Sequence, residues 1–241
     1  MIITTEDQHK ISVSALRKER KGAIVVAHGF YNNKDTHLFR VISEMFYKNY
    51  DVFSFDFRGH GKSSGLFSWT TYEPSDLRAV IAYVKEQGYT KIGLVGFSLG
   101  AATALIESSQ NQQVDSVIAV SAPYDFWQIN FHFWEPEMVK DLTLNFGPKG
   151  KGKGVRPGNP FLPKTKPIDA VARRTHLVPI LFIHGQDDWL IKPHHSDKLF
   201  EAAKEPREIA RMPGVGHAEK IFDDQPEVFE KTCMDWFGRT L

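Results

Sequence analysis

One turn constrains this 241-residue chain more than any other stretch. The apolar run Ile92 to Val95 reads as a buried strand, and Ala101 to Ile106 begins a helix of small residues. Gly96-Phe97-Ser98-Leu99-Gly100 joins the two. A serine at such a junction is forced into strained backbone that lifts its hydroxyl above the sheet edge. Its neighbours two before and two after must be small, because a Cβ there collides with the tight turn, and Gly96 and Gly100 meet that demand. Amides behind Ser98 also turn their positive dipole toward charge developing beside its hydroxyl. Taken alone, Gly-x-Ser-x-Gly equally describes a strand–helix junction with an incidental serine, so the rest of the chain has to decide.

Around this turn, strands and helices alternate. Ile2–Thr5 and Lys10–Leu16 are short alternating runs about Glu6-Asp7-Gln8, as in an opening antiparallel hairpin. Gly22–Ala27, Asp51–Phe57, Val114–Ser121, Val178–Ile183 and Arg207–Met212 read as further strands. Leu38, Val41, Ile42, Met45 and Phe46 recur at helical spacing, as do Leu77, Val80, Ile81 and Val84. Leu199, Phe200 and Ala203 mark another helix. A last one, opened by Asp224 and Pro226, turns Val228, Phe229, Thr232, Cys233, Trp236 and Phe237 inward. Such alternation predicts an α/β fold, a mostly parallel sheet covered on both faces.

The rhythm breaks from about Phe126 to Thr175. That stretch opens on Phe126, Trp127, Phe131, Phe133 and Trp134, continues through an expected helix from Pro136 to Leu144, and runs into Gly147-Pro-Lys-Gly-Lys-Gly-Lys-Gly154 and a Pro-rich tail. An insertion between two sheet strands is placed to cap the sheet's carboxyl edge. The Gly/Lys tract reads as a solvated loop rather than a phosphate cradle. The whole is expected to be a single domain over residues 1–241, with a cap insertion at about 126–175.

Composition narrows the partners. Lys and Arg number 30 against 29 Asp and Glu, so no global basic field argues for nucleic acid or an acidic membrane. Cys233 is the single cysteine, which rules out an intrachain disulfide and a cysteine-based metal cluster. The N-terminus lacks the basic start and apolar core of an export signal, and no window approaches a membrane span, so a cytoplasmic protein is expected.

In an open α/β sheet the strand carboxyl ends share one crevice. Four segments end there with chemistry: His28-Gly29-Phe30, Ser98, His184-Gly185-Gln186-Asp187-Asp188 and Gly216-His217. A serine hydroxyl is a poor nucleophile unless a base lies within hydrogen-bond reach. That base must take a proton and return it, which selects histidine, and the histidine needs an anion to fix its tautomer. The chain order Ser98, Asp188, His217 is the order expected around a nucleophile elbow.

With these motifs assembled, the chain resembles the α/β-hydrolase-fold serine esterases, nearest to short-capped bacterial carboxylesterases of the feruloyl and cinnamoyl esterase kind. The likeness rests on His28-Gly29-Phe30, on Asp56-Phe57-Arg58-Gly59-His60-Gly61-Lys62-Ser63, on the Ser98 elbow, on His184-Gly-x-x-Asp188 and on Gly216-His217. The cap departs from any pattern of the family. The resemblance implies an eight-stranded, mostly parallel sheet with helices on both faces and a small cap insertion. It further implies Ser98 as nucleophile, His217 as general base and acid, Asp188 as its orienting carboxylate, and the Phe30 and Leu99 N–H groups as the oxyanion hole. It calls for no cofactor and no metal. The partner is a small-molecule ester, with neither nucleic acid nor a membrane span involved, and a homodimer is an allowed assembly.

Other signals are discounted. Gly61-Lys62-Ser63 lacks the leading glycine of a phosphate loop, where Asp56 stands, and the dinucleotide fingerprint fails at Ser64. His194-His195 has no second ligand cluster at suitable spacing. His28 and His60 read as loop residues, with His28 holding its turn by hydrogen bonds. Asp187 reads as a turn residue, and Asp125 competes for the acid role. Amidase or aminopeptidase, thioesterase and cofactor-free perhydrolase chemistry would use the same triad, whereas a silent binding member of the fold usually shows a broken one. Epoxide hydrolase and dehalogenase chemistry wants an aspartate at Ser98. About half of the insertion's five aromatics are expected to pack the cap, and the others to wall an apolar pocket for an acyl chain or aryl ring. The expected substrates are soluble short- to medium-chain or aryl esters, without interfacial activation and without bulky tertiary alcohols.

Overall fold

The computed structural model describes residues 1–129, Pro136 and 154–241. Its sheet comprises β1 (Ile2–Thr4), β2 (Lys10–Leu16), β3 (Gly22–Ala27), β4 (Asp51–Phe55), β5 (Lys91–Phe97), β6 (Ser116–Val120), β7 (Ile180–Gly185) and β8 (Arg207–Met212). The eight strands lie in the order β1-β2-β4-β3-β5-β6-β7-β8. β1 and β2 pair antiparallel, β2 pairs antiparallel with β4, and every later pairing is parallel. Strands β4, β6 and β7 are buried along their whole length, which is why Val52-Phe53, Val117–Val120 and Ile180–Ile183 read as apolar runs without alternation. The edge strand β8 is only partly buried and carries Arg207, Glu208 and Arg211, charges that discourage pairing with a further strand.

Period-two alternation splits each central strand between two cores. Ala23, Val25 and Ala27 of β3 face one layer, built with α2 (Glu73–Glu86), α3 (Leu99–Gln110), α4 (Pro167–Arg173) and α5 (His194–Ala202). Ile24 and Val26 face the other, built with α1 (His37–Tyr47), the short α6 (Lys220–Asp224) and α7 (Pro226–Thr240). Among the described residues, no helix is long and apolar enough to cross a membrane.

Three details depart from expectation. Val228 is half-exposed, because the inward stripe of α7 runs through Phe229, Cys233, Trp236 and Phe237 and Val228 falls to its solvent side. A separate turn of helix, α6, precedes α7 and buries Ile221 and Phe222. Within the 126–175 stretch, α4 packs against α3 and buries Val171 in the body's core, so this segment covers the body of the sheet. The expected helix from Pro136 to Leu144, most of the Gly/Lys tract, and Phe131, Phe133 and Trp134 lie outside the described residues, except that Pro136 is exposed.

The segment just after the tract runs beside the loop that follows β4. Val155 bridges His60 and Pro157 bridges Phe67. That loop is itself held by buried charge. Asp56 accepts the Lys34 and Lys62 N–H groups, each at 2.9 Å, and a Cβ on Gly61 (φ 45°) would lie 2.4 Å from the Asp56 Oδ2. Arg58, buried, grips Asp76 and Asp7 through its guanidinium.

Candidate active site

Ser98 adopts φ 53°, ψ −120°, at the joint between β5 and α3. Its N–H donates to the Val120 carbonyl at 2.9 Å, which ties the elbow to β6. The flanking glycines are required for different reasons. A Cβ on Gly96 would lie 2.6 Å from the Gly100 carbonyl oxygen and 2.7 Å from the Ala101 Cα, a collision within the turn. A Cβ on Gly100 would instead lie 2.3 Å from the His28 carbonyl oxygen, so this glycine is small to admit β3, not the turn itself.

The structure brings Ser98, His217 and Asp188 into one hydrogen-bonded line. Ser98 Oγ lies 2.9 Å from His217 Nε2, and His217 Nδ1 lies 2.7 Å from Asp188 Oδ2. Asp188 is buried, and its other oxygen accepts the Leu190 and Ile191 N–H groups at 3.0 and 2.8 Å. Burial works against its charge. Attraction to His217 and hydrogen bonds from His184 and His217 outweigh that, holding its carboxyl well below the usual carboxylate range. His217 in this array has its Nδ1–H committed to the carboxylate and its Nε2 lone pair facing the Ser98 hydroxyl, the arrangement that can accept the serine proton.

Asp125 does not join this line. Its carboxylate accepts the Trp127 N–H at 3.0 Å and pairs with Lys166 at 2.8 Å. Asp187 is an exposed turn residue whose N–H donates to Val215. The tilted rings of His194 and His195 pack against each other and His195 packs against Tyr124, and no group of three or more metal-binding side chains occurs among the described residues.

Phe30 and Leu99 flank Ser98 from β3 and α3. A Cβ on Gly29 would lie 3.3 Å from the Ser98 Cβ, which shows how closely the Gly29-Phe30 turn passes. No hydrogen bond from the Phe30 or Leu99 N–H is found among the described residues. Leu99 opens α3, where first-turn amides have no intrahelical acceptor. The Phe30 turn is fixed from behind by two imidazoles. His28 Nδ1 lies 2.7 Å from the Gly29 carbonyl while its Nε2 accepts the Phe57 N–H, and His60 Nε2 lies 2.6 Å from the Phe30 carbonyl. His60 is thus more than a loop residue: it is buried and anchors the Gly29-Phe30 turn.

Burial pushes His28 down to about 4, against the favourable Gly29 carbonyl, and pushes His60 down to about 3. Both titrate lower in the folded than in the unfolded chain, so on acidification the unfolded chain binds protons first. Their stabilising neutrality is therefore complete above pH 6.5, and is lost as pH falls from there towards about 4 for His28. The loss is about 1.4 kcal/mol per pH unit for each imidazole. His28→Asn is expected to lower stability at pH 7 yet flatten its decline between pH 6.5 and 4, read by chemical denaturation across that range. An unchanged slope would count against the assignment.

Sequence reasoning passed over several residues that frame the site. Ser121 (φ 48°) and Ala218 (φ 50°) are both left-handed, and the Ser121 Oγ accepts the Ala218 N–H at 3.0 Å, pinning the loop one residue past His217. Asn32 donates to the buried Glu219 at 2.7 Å and so ties the turn after β3 to the same loop. Phe67, Leu99, Phe126, Ile129 and Ile191 form a satellite apolar cluster, with Phe30, Trp69, Val155 and Leu190 packed on it. Of the aromatics expected in the pocket, Phe126 is buried in this cluster, whereas Trp127 is 53% exposed and stacks on Phe161.

A family model described as the alpha/beta hydrolase fold matches residues 22–154. The Escherichia coli (strain K12) protein YfhR, described as uncharacterized, is 26% identical over 222 residues, a span of 90% of this chain and 70% of the relative. The Pyrococcus furiosus esterase Pf2001 superposes with a TM-score of 0.79 at 22% identity, covering 100% of this chain and 91% of that one. Est1E from Butyrivibrio proteoclasticus, solved with ferulic acid bound, superposes with a TM-score of 0.73 at 16% identity, covering 100% and 98%. At these identities the structural likeness is one of fold.

Proposed function

We propose, from the premise that this chain belongs to the alpha/beta hydrolase fold family, that it is a serine hydrolase of carboxylic esters working through an acyl-enzyme. The observation that carries this reading is the unbroken line from Ser98 Oγ through His217 to the ionised Asp188, beside the Phe30 and Leu99 N–H groups, which donate to no acceptor among the described residues. The esterases among its structural neighbours support the same reaction class.

In this reading Ser98 Oγ attacks the ester carbonyl as His217 Nε2 takes its proton. The carbonyl π pair moves onto oxygen, where the Phe30 and Leu99 N–H groups stabilise it; each such donor is typically worth about 3 kcal/mol. The tetrahedral centre collapses with expulsion of the alkoxide, which leaves with the proton returned by His217. Water then enters by the same route: as His217 removes its proton, its oxygen bonds to the acyl carbon, the acyl–Oγ bond breaks to release the carboxylic acid, and the proton goes back to Ser98 Oγ. Asp188 holds the imidazolium in place throughout and stays ionised. The domain is read as one unit over residues 1–241, with a cap formed within 126–175 whose far end, α4, lies on the body.

The preferred substrates are soluble short- to medium-chain or aryl esters. The test is a panel of alkyl and aryl esters, amides and thioesters, with the Ser98→Ala protein as blank, measured above and below each ester's solubility limit. Esters are expected to give the highest kcat/KM, with no rise at the emulsion boundary. A higher kcat/KM for amides or thioesters would move the assignment to another bond, and a sharp rise on emulsified long-chain triglyceride would make the protein a lipase.

A further inference from the structure

Left-handed backbone is rare outside glycine, and for a bulky or β-branched residue it is strained. Two such residues stand in succession here, Trp69 at φ 60° and Thr70 at φ 76°. Strain of this kind persists only where the surroundings over-determine it, and it gathers at ligand-handling sites. The surroundings here are unusually explicit. Glu73, wholly buried, accepts the Ser68 N–H at 2.7 Å, the Ser68 Oγ–H at 2.8 Å and the Thr70 N–H at 2.7 Å, so one carboxylate clamps both sides of Trp69. The indole N–H is fixed in turn on the Gly158 carbonyl at 3.1 Å.

What the clamp secures is the place of an indole. Its ring lies 4.5 Å from the Phe30 ring at 32° between planes, and 5.7 Å from Phe126. Trp69 is only partly buried, and it packs on the same apolar cluster as Leu99 and Ile191. Phe30 and Leu99 are the residues whose N–H groups face the reacting carbonyl in the proposed reaction, so an acyl group joined to that carbonyl comes within reach of this ring. A flat ring that cannot swing away rewards a flat ligand. A saturated chain of equal bulk meets the same surface without the offset stacking that aromatic pairs gain.

We propose that Trp69 is a specificity-determining residue whose clamped indole walls the acyl pocket and selects planar aryl acyl groups over saturated chains of similar size. The proposal rests on the ester-hydrolase reading, and its test separates the two. Trp69→Leu keeps apolar bulk without a flat face, and Trp69→Phe keeps a flat face; both lose the bond to Gly158, so that loss cancels between them. The probes are 4-nitrophenyl benzoate and 4-nitrophenyl hexanoate, which share a leaving group. The aryl-over-alkyl ratio of kcat/KM is expected to fall about tenfold in Trp69→Leu and to stay within about threefold in Trp69→Phe. A ratio unchanged in Trp69→Leu, or shifted equally in both variants, overturns the proposal, because a merely structural ring would slow both esters alike. If the wild-type protein cleaves neither ester, the hydrolase reading fails on its own, and NMR titration with benzoate and hexanoate decides the role of Trp69. Benzoate binding weakened in Trp69→Leu but kept in Trp69→Phe supports it; binding that is absent, or alike in both variants, overturns it.

Discussion

Ser98→Ala is expected to lower kcat for ester hydrolysis by roughly four to six powers of ten while leaving the fold intact. The size of the effect follows from what is removed. His217 Nε2 and the Phe30 and Leu99 N–H groups remain, so a residual acceleration over water is expected, but no acyl bond to the protein can form. The fold is spared because alanine keeps the Cβ, and because the elbow is held by backbone, through the Ser98 N–H on Val120 and the close approach of Gly100 to β3. Positive φ costs alanine about what it costs serine. A sulfonyl fluoride or organophosphonate is expected to add a single label, at Ser98, detected by mass spectrometry and absent from the variant. A label on another serine, or full activity in Ser98→Ala, would overturn the mechanism.

The elbow was legible because it is local. A strand, a turn and a helix within about a dozen residues carry their own signature, and the structure puts β5, Ser98 and α3 where that signature expects them. The buried strands were legible for a similar reason: β4, β6 and β7 face helices on both sides, so apolar residues such as Val52-Phe53, Val117–Val120 and Ile180–Ile183 follow one another without alternation. Elements of a turn or two were not. α6 spans five residues and α4 seven, too few for a 3.6-residue period to declare itself, and Val228 adjoins a genuine apolar stripe without belonging to it.

The second rank of the site was hidden because its partners are far apart in sequence. Asn32 meets Glu219 across 187 residues and Ser121 meets Ala218 across 97. His60 signals nothing by itself in a glycine-flanked loop, and its anchoring of Phe30 exists only once β3 and β4 are paired. Trp69 belongs to no periodic element at all, so its left-handed backbone leaves no trace in the sequence pattern. Even Gly100, correctly expected to be small, was small for a reason that only the neighbouring strand supplies.

Asp188→Asn is expected to cost about four powers of ten in kcat with little change in KM or thermal stability. The reason lies in which atom of the amide faces His217. The Asp188 Oδ1 accepts two backbone N–H groups, from Leu190 and Ile191, and an asparagine must leave its oxygen there or strand both donors. Its NH₂ then faces His217 Nδ1, where Oδ2 now sits at 2.7 Å, and two donors cannot share that position. His217 escapes by turning Nδ1 into the acceptor, which moves its proton to Nε2 and points an N–H at the Ser98 hydroxyl. A base in that tautomer cannot take the serine proton, so ground-state binding survives while the first chemical step fails. Asp125→Asn is the matched control, since that carboxylate serves the Trp127 N–H and Lys166. Its kcat is expected to stay within about threefold of wild type, because that carboxylate, though buried, stands outside the Ser98–His217–Asp188 line. If Asp125→Asn proves the more damaging of the two, the orienting carboxylate is Asp125 and the line drawn here through Asp188 is wrong.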